Sequence, residues 1–244
     1  MKKRYFTLDF IRGFALFNMI IYHTLWDLVY IFNFEINWFK STGAYIWQQL
    51  ICYSFILLSG FCFSLGSKKI KRGLIVFSFG VLISLVTYLL MPEDLILFGV
   101  LTLIGSCMII FSLLDKQLSK INQYIGLLIC IILFIMFRNV NEGYLGFENI
   151  NILKLPNILY ANNISAYFGF PHDCFYSTDY FSLIPWIFLF ATGYFINKIF
   201  VKKNLMIYLE KHQNLFVEFI GKNSLYVYVL HQPIIYLILL VVAS

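Results

Sequence analysis

"LDFIRGFALFNMIIYHTLWDL", residues 8–28, is the stretch whose reading decides the fold. Its length and apolar content are those of a membrane-crossing helix, which needs about 20 mainly apolar residues. Yet it carries Asp9, Arg12, His23 and Asp27. An ionisable group deep in a bilayer costs roughly 2.5–3.5 kcal/mol on insertion scales, so such groups face a cavity or a partner. Residues advance about 100° each around a helix, so with Arg12 at zero, His23 falls at about 20° and Asp9 and Asp27 at about 60°. The four form one ionisable stripe, while Asn18 points elsewhere. His23 and Asp27 are an i, i+4 pair and can touch. Asp9 and Arg12 are an i, i+3 pair at the near end, and His23 lies about 21 Å of helix rise beyond Asp9.

The rest of the chain agrees with a membrane setting. Of its 244 residues 61% are hydrophobic and 12% charged, with mean hydropathy +0.81. A water-soluble domain of this size needs more polar surface. Seven apolar segments are long enough to span: 9–32, 44–66, 73–91, 95–114, 121–138, 181–200 and 221–243. Helices are the expected form, because every backbone polar group must be satisfied inside lipid, and unbroken apolar runs without alternation argue against a β-barrel. Of the 18 Lys and Arg, 14 fall on the N-terminal side of the membrane, in clusters at 2–4, 68–72, 116–120 and 198–203 and at 211 and 222. Only Lys40, Arg138 and Lys154 fall opposite, and Arg12 stays in the first helix. This bias predicts a cytoplasmic N-terminus and an outer C-terminus. The expected fold is therefore all-α: a polytopic integral membrane helical bundle of about seven transmembrane helices in the cell membrane, N-terminus in and C-terminus out. Residues 1–244 form one transmembrane domain with an extended outer loop at 139–180.

Other classes fall away. The net charge of +6 sits in topological clusters rather than on a nucleic-acid-binding face, so no nucleic-acid partner is expected. Cys52, Cys62, Cys107, Cys130 and Cys174 make no CxxC pair, and His172 in "GFPHDCF" has too few neighbouring ligands for a metal, so neither a disulfide framework nor a metal site is expected. The apolar run after the basic start is too long for a signal-peptide core and no small-residue cleavage site follows, so the first helix is expected to be retained. The outer loop is longer than idle connections are, which points to function or partial folding.

Four stretches, in order, resemble one family. "RYFTLDFIRGFALFNMIIYHTLWDL" is similar to the opening of bacterial membrane proteins related to heparan-α-glucosaminide N-acetyltransferase, within the wider transmembrane acyltransferases. "FILLSGFCFSLG" (55–66) resembles the family's second-helix motif. "STDYFSLIPWIFLFATGYFI" (177–196) resembles its Asp-Tyr-Phe-x-x-x-Pro-Trp segment, and "FIGKNSLYVYVLHQPIIY" (219–236) its closing Ser-Leu-x-x-Tyr-x-x-His-Gln-Pro signature. The resemblance implies acyl transfer from acetyl-CoA as co-substrate, with no metal, and carries over His23 as the reactive residue and Asp9 and Arg12 as motif residues. Thr102 stands where the resemblance leads one to expect histidine.

Acyl transfer from a thioester needs a base for the acceptor proton and hydrogen-bonding or positive groups for the thioester oxygen. A neutral imidazole suits the base role, so His23 is the catalytic candidate, with Asp27 holding its other ring nitrogen. Arg12, near the inner end of the stripe, suits the phosphates or pantetheine of acetyl-CoA. Asp9 with Arg12 serves equally well as an interfacial salt bridge. In the last helix Ser224 and His231 share a face, Gln232 follows, and Pro233 frees an upstream carbonyl where a kink is expected. His231 and Gln232 are substrate-binding candidates, or packing groups at that kink. Asp179 and Trp186, at the entry to the sixth segment, suit recognition of an acceptor, possibly a glycan by analogy with the family, or an aromatic belt at the interface. The leading function is transfer of an acetyl group to a hydroxyl or amine, an envelope sugar or similar. A proton-coupled transporter and a non-catalytic membrane protein stay open as alternatives, as does a homo-oligomeric state. The expected partners are the lipid bilayer, acetyl-CoA and an unknown acceptor.

Overall fold

The computed structural model describes residues 4–242. Lys2 and Lys3, counted above with the first basic cluster, and residue 243 at the end of the last apolar segment lie outside the described residues. Nine α-helices occur among those described: α1 Phe6–Tyr30, α2 Thr42–Phe63, α3 Lys69–Leu90, α4 Val100–Leu118, α5 Gln123–Met136, α6 Asn163–Phe168, α7 Leu183–Lys202, α8 Leu215–Lys222 and α9 Ser224–Val242. A short antiparallel hairpin, β1 Tyr144–Phe147 and β2 Ile150–Lys154, completes the regular structure. Each of the seven apolar segments contains one helix. Five of these, α2, α3, α4, α7 and α9, are long and apolar enough to cross a membrane. The 25-residue α1 has the length, but its polar stripe dilutes its apolar character. The 14-residue α5 is apolar throughout; it rises only about 21 Å, short of the ~30 Å hydrocarbon core. Exposed Leu82, Leu85, Val86 and Leu89 on α3, and Ile125, Leu128, Ile129 and Ile132 on α5, form surfaces that water would not tolerate. The protein is an all-α, multi-pass membrane bundle.

Local sequence sets several boundaries. The Asn122 side chain accepts from the Tyr124 and Ile125 N–H groups and starts α5. Asn162 and Ser165 form a reciprocal capping box on α6, and Asn214 caps α8 through the Phe216 and Val217 N–H groups; each satisfies donors that a helix start leaves orphaned. Two boundaries differ from the apolar runs. The segment expected from residue 95 becomes helical only at Val100. Phe98 adopts a left-handed φ of 56°, and residues 95–98 bond instead to 177–181, through Thr178 N–H to the Leu95 carbonyl, the Ser177 hydroxyl at Leu97, and Phe181 N–H to the Phe98 carbonyl. The last segment, expected as one helix from 221, is divided at Asn223 into α8 and α9. Within α9 the helix continues through Pro233.

The chain falls into two compact units, 4–58 with 200–242 and 59–199 as described. In the first, α1 and α9 run in the same direction. The Thr7 hydroxyl at the start of α1 donates to the Lys211 carbonyl, 3.1 Å, and the rings of Phe32 and Tyr236 meet at the other end. The N-terminal half of α2 runs against α1: Leu16 and Met19 pack on Ile51, and Val29 packs on Ala44 and Phe39. The Trp47 indole N–H donates to Asn18 Oδ1, 3.1 Å, which accounts for the polar residue off the stripe. α1 and α8 approach so closely that a Cβ at Gly13 would lie 2.0 Å from the Val217 carbonyl oxygen, and one at Gly221 would lie 1.8 Å from that of Asp9.

In the second unit α3 and α4 form an antiparallel pair, with Lys69 Nζ 2.8 Å from Asp115 Oδ2 at one end. At that same end of α4, Lys198 of α7 donates to the Ser119 and Ile121 carbonyls, 3.0 and 2.7 Å. Phe63, Phe111, Phe190 and Tyr194 interlock between the helices. The opposite end carries the 139–180 segment, which folds into the hairpin, α6 and their turns. Tyr160 OH bonds the Val140 carbonyl, 2.6 Å, Tyr180 OH bonds that of Ala166, and the Asn141 amide reaches the Gly169 carbonyl and the Ser182 hydroxyl, both 2.9 Å.

Candidate functional site

The first unit brings four of the sequence candidates together. His23 on α1 faces His231 on α9, ring centroids 5.0 Å apart and planes at 59°. One helical turn further along α1, Asp27 is fully buried, and its Oδ1 accepts from Gln232 Nε2 at 2.7 Å. The i, i+4 spacing led to a His23–Asp27 pair; the cross-helix contacts are His23 with His231 and Asp27 with Gln232. They follow from the parallel run of α1 and α9, which places adjacent residues of α9 opposite two successive turns of α1.

The chemistry of His231 follows from its surroundings. It is 8% exposed, and Nδ1 lies 2.5 Å from the Tyr228 carbonyl oxygen. A carbonyl only accepts, so Nδ1 carries the proton and Nε2 holds the lone pair. That Nε2 is buried without a hydrogen-bond partner, as is Gln232 Oε1. A buried acceptor left unmatched is unfavourable by ~1–3 kcal/mol, so two on neighbouring residues mark a place where a donor-bearing molecule fits. His23 is only half-buried, which leaves its imidazole the more approachable of the pair.

The inner end of the stripe is built as an ion cluster. Asp9 Oδ2 accepts from Arg4 Nε and lies 2.8 Å from Arg4 Nη2, and Asp9 Oδ1 is 3.4 Å from Arg12 Nη1. Arg12 Nη1 also reaches the Gly221 carbonyl, 3.5 Å. Asp9 is thus engaged with the two arginines, the salt-bridge role that the sequence left open. Arg4 precedes the helix, so periodicity could not assign it to Asp9. Beside this cluster His212 stacks on Phe6 and bonds Glu218 Oε2, 2.8 Å, while Glu218 Oε1 takes the Gln213 N–H. That N–H, with His212, holds the Glu218 carboxyl below the usual glutamate range. Sequence spacing gave no sign of this group.

Asp179 and Trp186 belong to the second unit and do other work there. Trp186 is 4% exposed, packed on Phe134 and Phe181, with the Arg138 guanidinium 5.2 Å above its ring. It is neither at an interface belt nor open to a substrate, because the first turn of α7 is turned into the unit's core. Asp179 accepts the Val100 N–H with Oδ2 beside Gly99, and so caps α4 from another part of the chain. Burial pushes its carboxyl up to about 6, against the lowering effect of the Val100 N–H. A carboxyl raised in the fold contributes stability that is complete below the unfolded value near 3.8 and is lost as pH rises through 6. Thermal unfolding of the purified protein should therefore shift downward between pH 4 and 7, and Asp179→Asn should flatten that slope. Asp179→Ala, which leaves the Val100 N–H uncapped, should lower stability by about 1 kcal/mol.

These helices and this buried cluster define a multi-pass membrane protein with ionisable side chains held inside its helical bundle. The chain belongs to the heparan-alpha-glucosaminide N-acetyltransferase catalytic family, whose profile matches residues 4–233 and so takes in α1 with the stripe and α9 as far as Pro233. The family is of the acyltransferase type. No curated protein and no solved structure matches the chain.

Proposed function

We propose that the protein transfers an acetyl group from acetyl-CoA to a hydroxyl or amine acceptor, an envelope sugar or similar, with the His23–His231 pair handling the proton. The observation that carries the proposal is this pair of imidazoles on facing helices of an acetyltransferase-family chain. His23 accepts the proton of the acceptor O–H or N–H as that atom attacks the thioester carbonyl. The carbon–sulfur bond then breaks, the acetyl group stays on the acceptor, and the imidazolium returns its proton to the departing CoA thiolate. His231 is the positioning residue: with its proton committed to the Tyr228 carbonyl, its Nε2 is available to accept the N–H of His23 and leave the other nitrogen of His23 as the base. Gln232 Oε1 offers the acceptor a hydrogen bond, while Asp27 holds the Gln232 amide in place. Arg12, about 16 Å of helix rise from His23, meets the phosphates or pantetheine of CoA. No metal takes part.

The same reading places seven crossings in the cell membrane, with the N-terminus and the basic clusters cytoplasmic and the 139–180 segment outside. Two observations support alternation within the second unit: residues 95–98 meet 177–181 at one end, and Lys198 meets residues 119–121 at the other. One transmembrane domain then carries the whole reaction. Binding of acetyl-CoA to the purified protein, followed calorimetrically, tests the proposal. Saturable binding weakened by Arg12→Ala is the expected result. No binding, together with proton-driven uptake of a solute into liposomes lacking CoA, would replace the enzyme with a carrier.

A further inference from the structure

The second unit holds a groove of about 490 Å³ lined by Phe77, Val81, Ser84, Thr102, Asn163 and Tyr167, together with Leu97, Phe98 and Ile164. Its volume is within the ~300–1,000 Å³ typical of ligand pockets. It lies between the facing parts of α3 and α4, beneath α6, and continues onto the lipid-exposed face of α3 formed by Leu82, Leu85 and Leu89. One polar atom in its wall is out of place. Thr102 is 4% exposed and its hydroxyl has no hydrogen-bond partner. The hydroxyls of Ser54, Ser84, Ser106, Ser112 and Thr192 all donate to the carbonyl four residues earlier. Thr102 has no such partner because residue 98 lies before the helix, with its carbonyl bonded to the Phe181 N–H. Tyr167 OH is likewise committed, to Ser106 Oγ at 2.6 Å. The groove is thus apolar along Phe77 and Val81 and presents one unmatched buried hydroxyl at its end near the start of α4.

We propose that this groove holds one acyl chain of a phospholipid from the leaflet on the side of the 139–180 segment, with the chain's ester group bonded to the Thr102 hydroxyl. The order of groups along the groove matches that of such a lipid. Thr102 is the third residue of α4, near the membrane boundary, and Phe77, a turn before Val81 on α3, lies deeper, beside Gly105. The occupant is a resident lipid, and this site stands independently of the acetyl-transfer proposal.

The test uses the full chain in nanodiscs containing a phospholipid with a photoactivatable diazirine close to the ester of one chain, with labelled peptides mapped by mass spectrometry. Labelling around Val81 and Tyr167 should exceed that on the exposed face of α5 around Leu128 and Ile132. Thr102→Val should reduce the groove labelling roughly 3- to 10-fold, the worth of one hydrogen bond. Val81→Trp, at a half-exposed position that accepts a larger ring, should remove at least nine-tenths of it and leave the α5 labelling unchanged. Groove labelling no greater than that on α5, or groove labelling that persists in Val81→Trp, would show ordinary contact with bulk lipid and overturn the proposal. If Thr102→Val fails to fold, Val81→Trp decides alone.

Discussion

His23→Ala is expected to lower acetyl transfer by about 10²–10⁴-fold, the usual contribution of a general base, while acetyl-CoA still binds. The imidazole is removed from α1 at a half-buried position where no protein hydrogen bond depends on it, so the fold should survive. The loss should appear in kcat, with KM for acetyl-CoA little changed, because the missing interaction forms only as the acceptor proton moves. His231→Ala should also lower kcat, by less, because His231 acts through its neighbour. His231→Gln, which can still donate and accept, should recover part of that loss. The two can be told apart by the pH profile. Without His231 the tautomer of His23 is no longer selected, so the rate–pH curve of His231→Ala should change shape, whereas a purely structural loss would scale the curve without moving it. Unchanged turnover in His23→Ala, in protein that binds acetyl-CoA, would remove His23 from the mechanism.

The second large effect is structural. Gly221→Ala should destabilise the first unit by at least ~3 kcal/mol, at or above the upper end of ordinary overpacking. The added carbon would sit 1.8 Å from the Asp9 carbonyl oxygen and 2.8 Å from the Gly13 nitrogen. These are backbone atoms of a helix, so no side chain can rotate out of the way and α8 must withdraw from α1. α9 follows α8 after Asn223, so His231 moves with it and turnover should fall as well. Gly43→Ala is the comparison: its Cβ would meet only the Ser41 hydroxyl, at 3.5 Å, and stability should be unchanged. Thermal unfolding in detergent, followed by circular dichroism, reads both. Equal midpoints for Gly221→Ala and the unaltered protein would mean that α1 and α8 do not touch as described.

Much of this architecture is legible in the sequence, because a membrane rewards a simple pattern. An apolar run of sufficient length satisfies its own backbone only as a helix, and each of the seven runs contains one. The boundaries were less legible where tertiary bonds compete with helix formation. Residues 95–98 are apolar enough to extend α4, but their backbone groups bond to 177–181 some 80 positions away. Asn214 starts a separate α8 that apolar content alone does not announce. The candidate site divides in the same way. The stripe of Asp9, Arg12, His23 and Asp27 is a matter of helical period within one element and can be read from spacing. The partners cannot: Gln232 finds Asp27 and His231 finds His23 across more than 200 residues, through the parallel run of α1 and α9. Asp179 and Trp186 lie in motif positions, yet one caps α4 and the other fills a core. A motif marks which residues sit together in sequence, and burial decides which can meet a substrate.

The central claim, that this bundle moves acetyl groups through its paired imidazoles, is tested most directly by following CoA release. Purified full-length protein in nanodiscs would be given labelled acetyl-CoA with and without a panel of amino and hydroxyl sugars. Release of CoA that depends on an acceptor, matched by label on that acceptor and lost in His23→Ala, is the predicted result. CoA release that is absent with every acceptor, or that proceeds equally in His23→Ala, would contradict it.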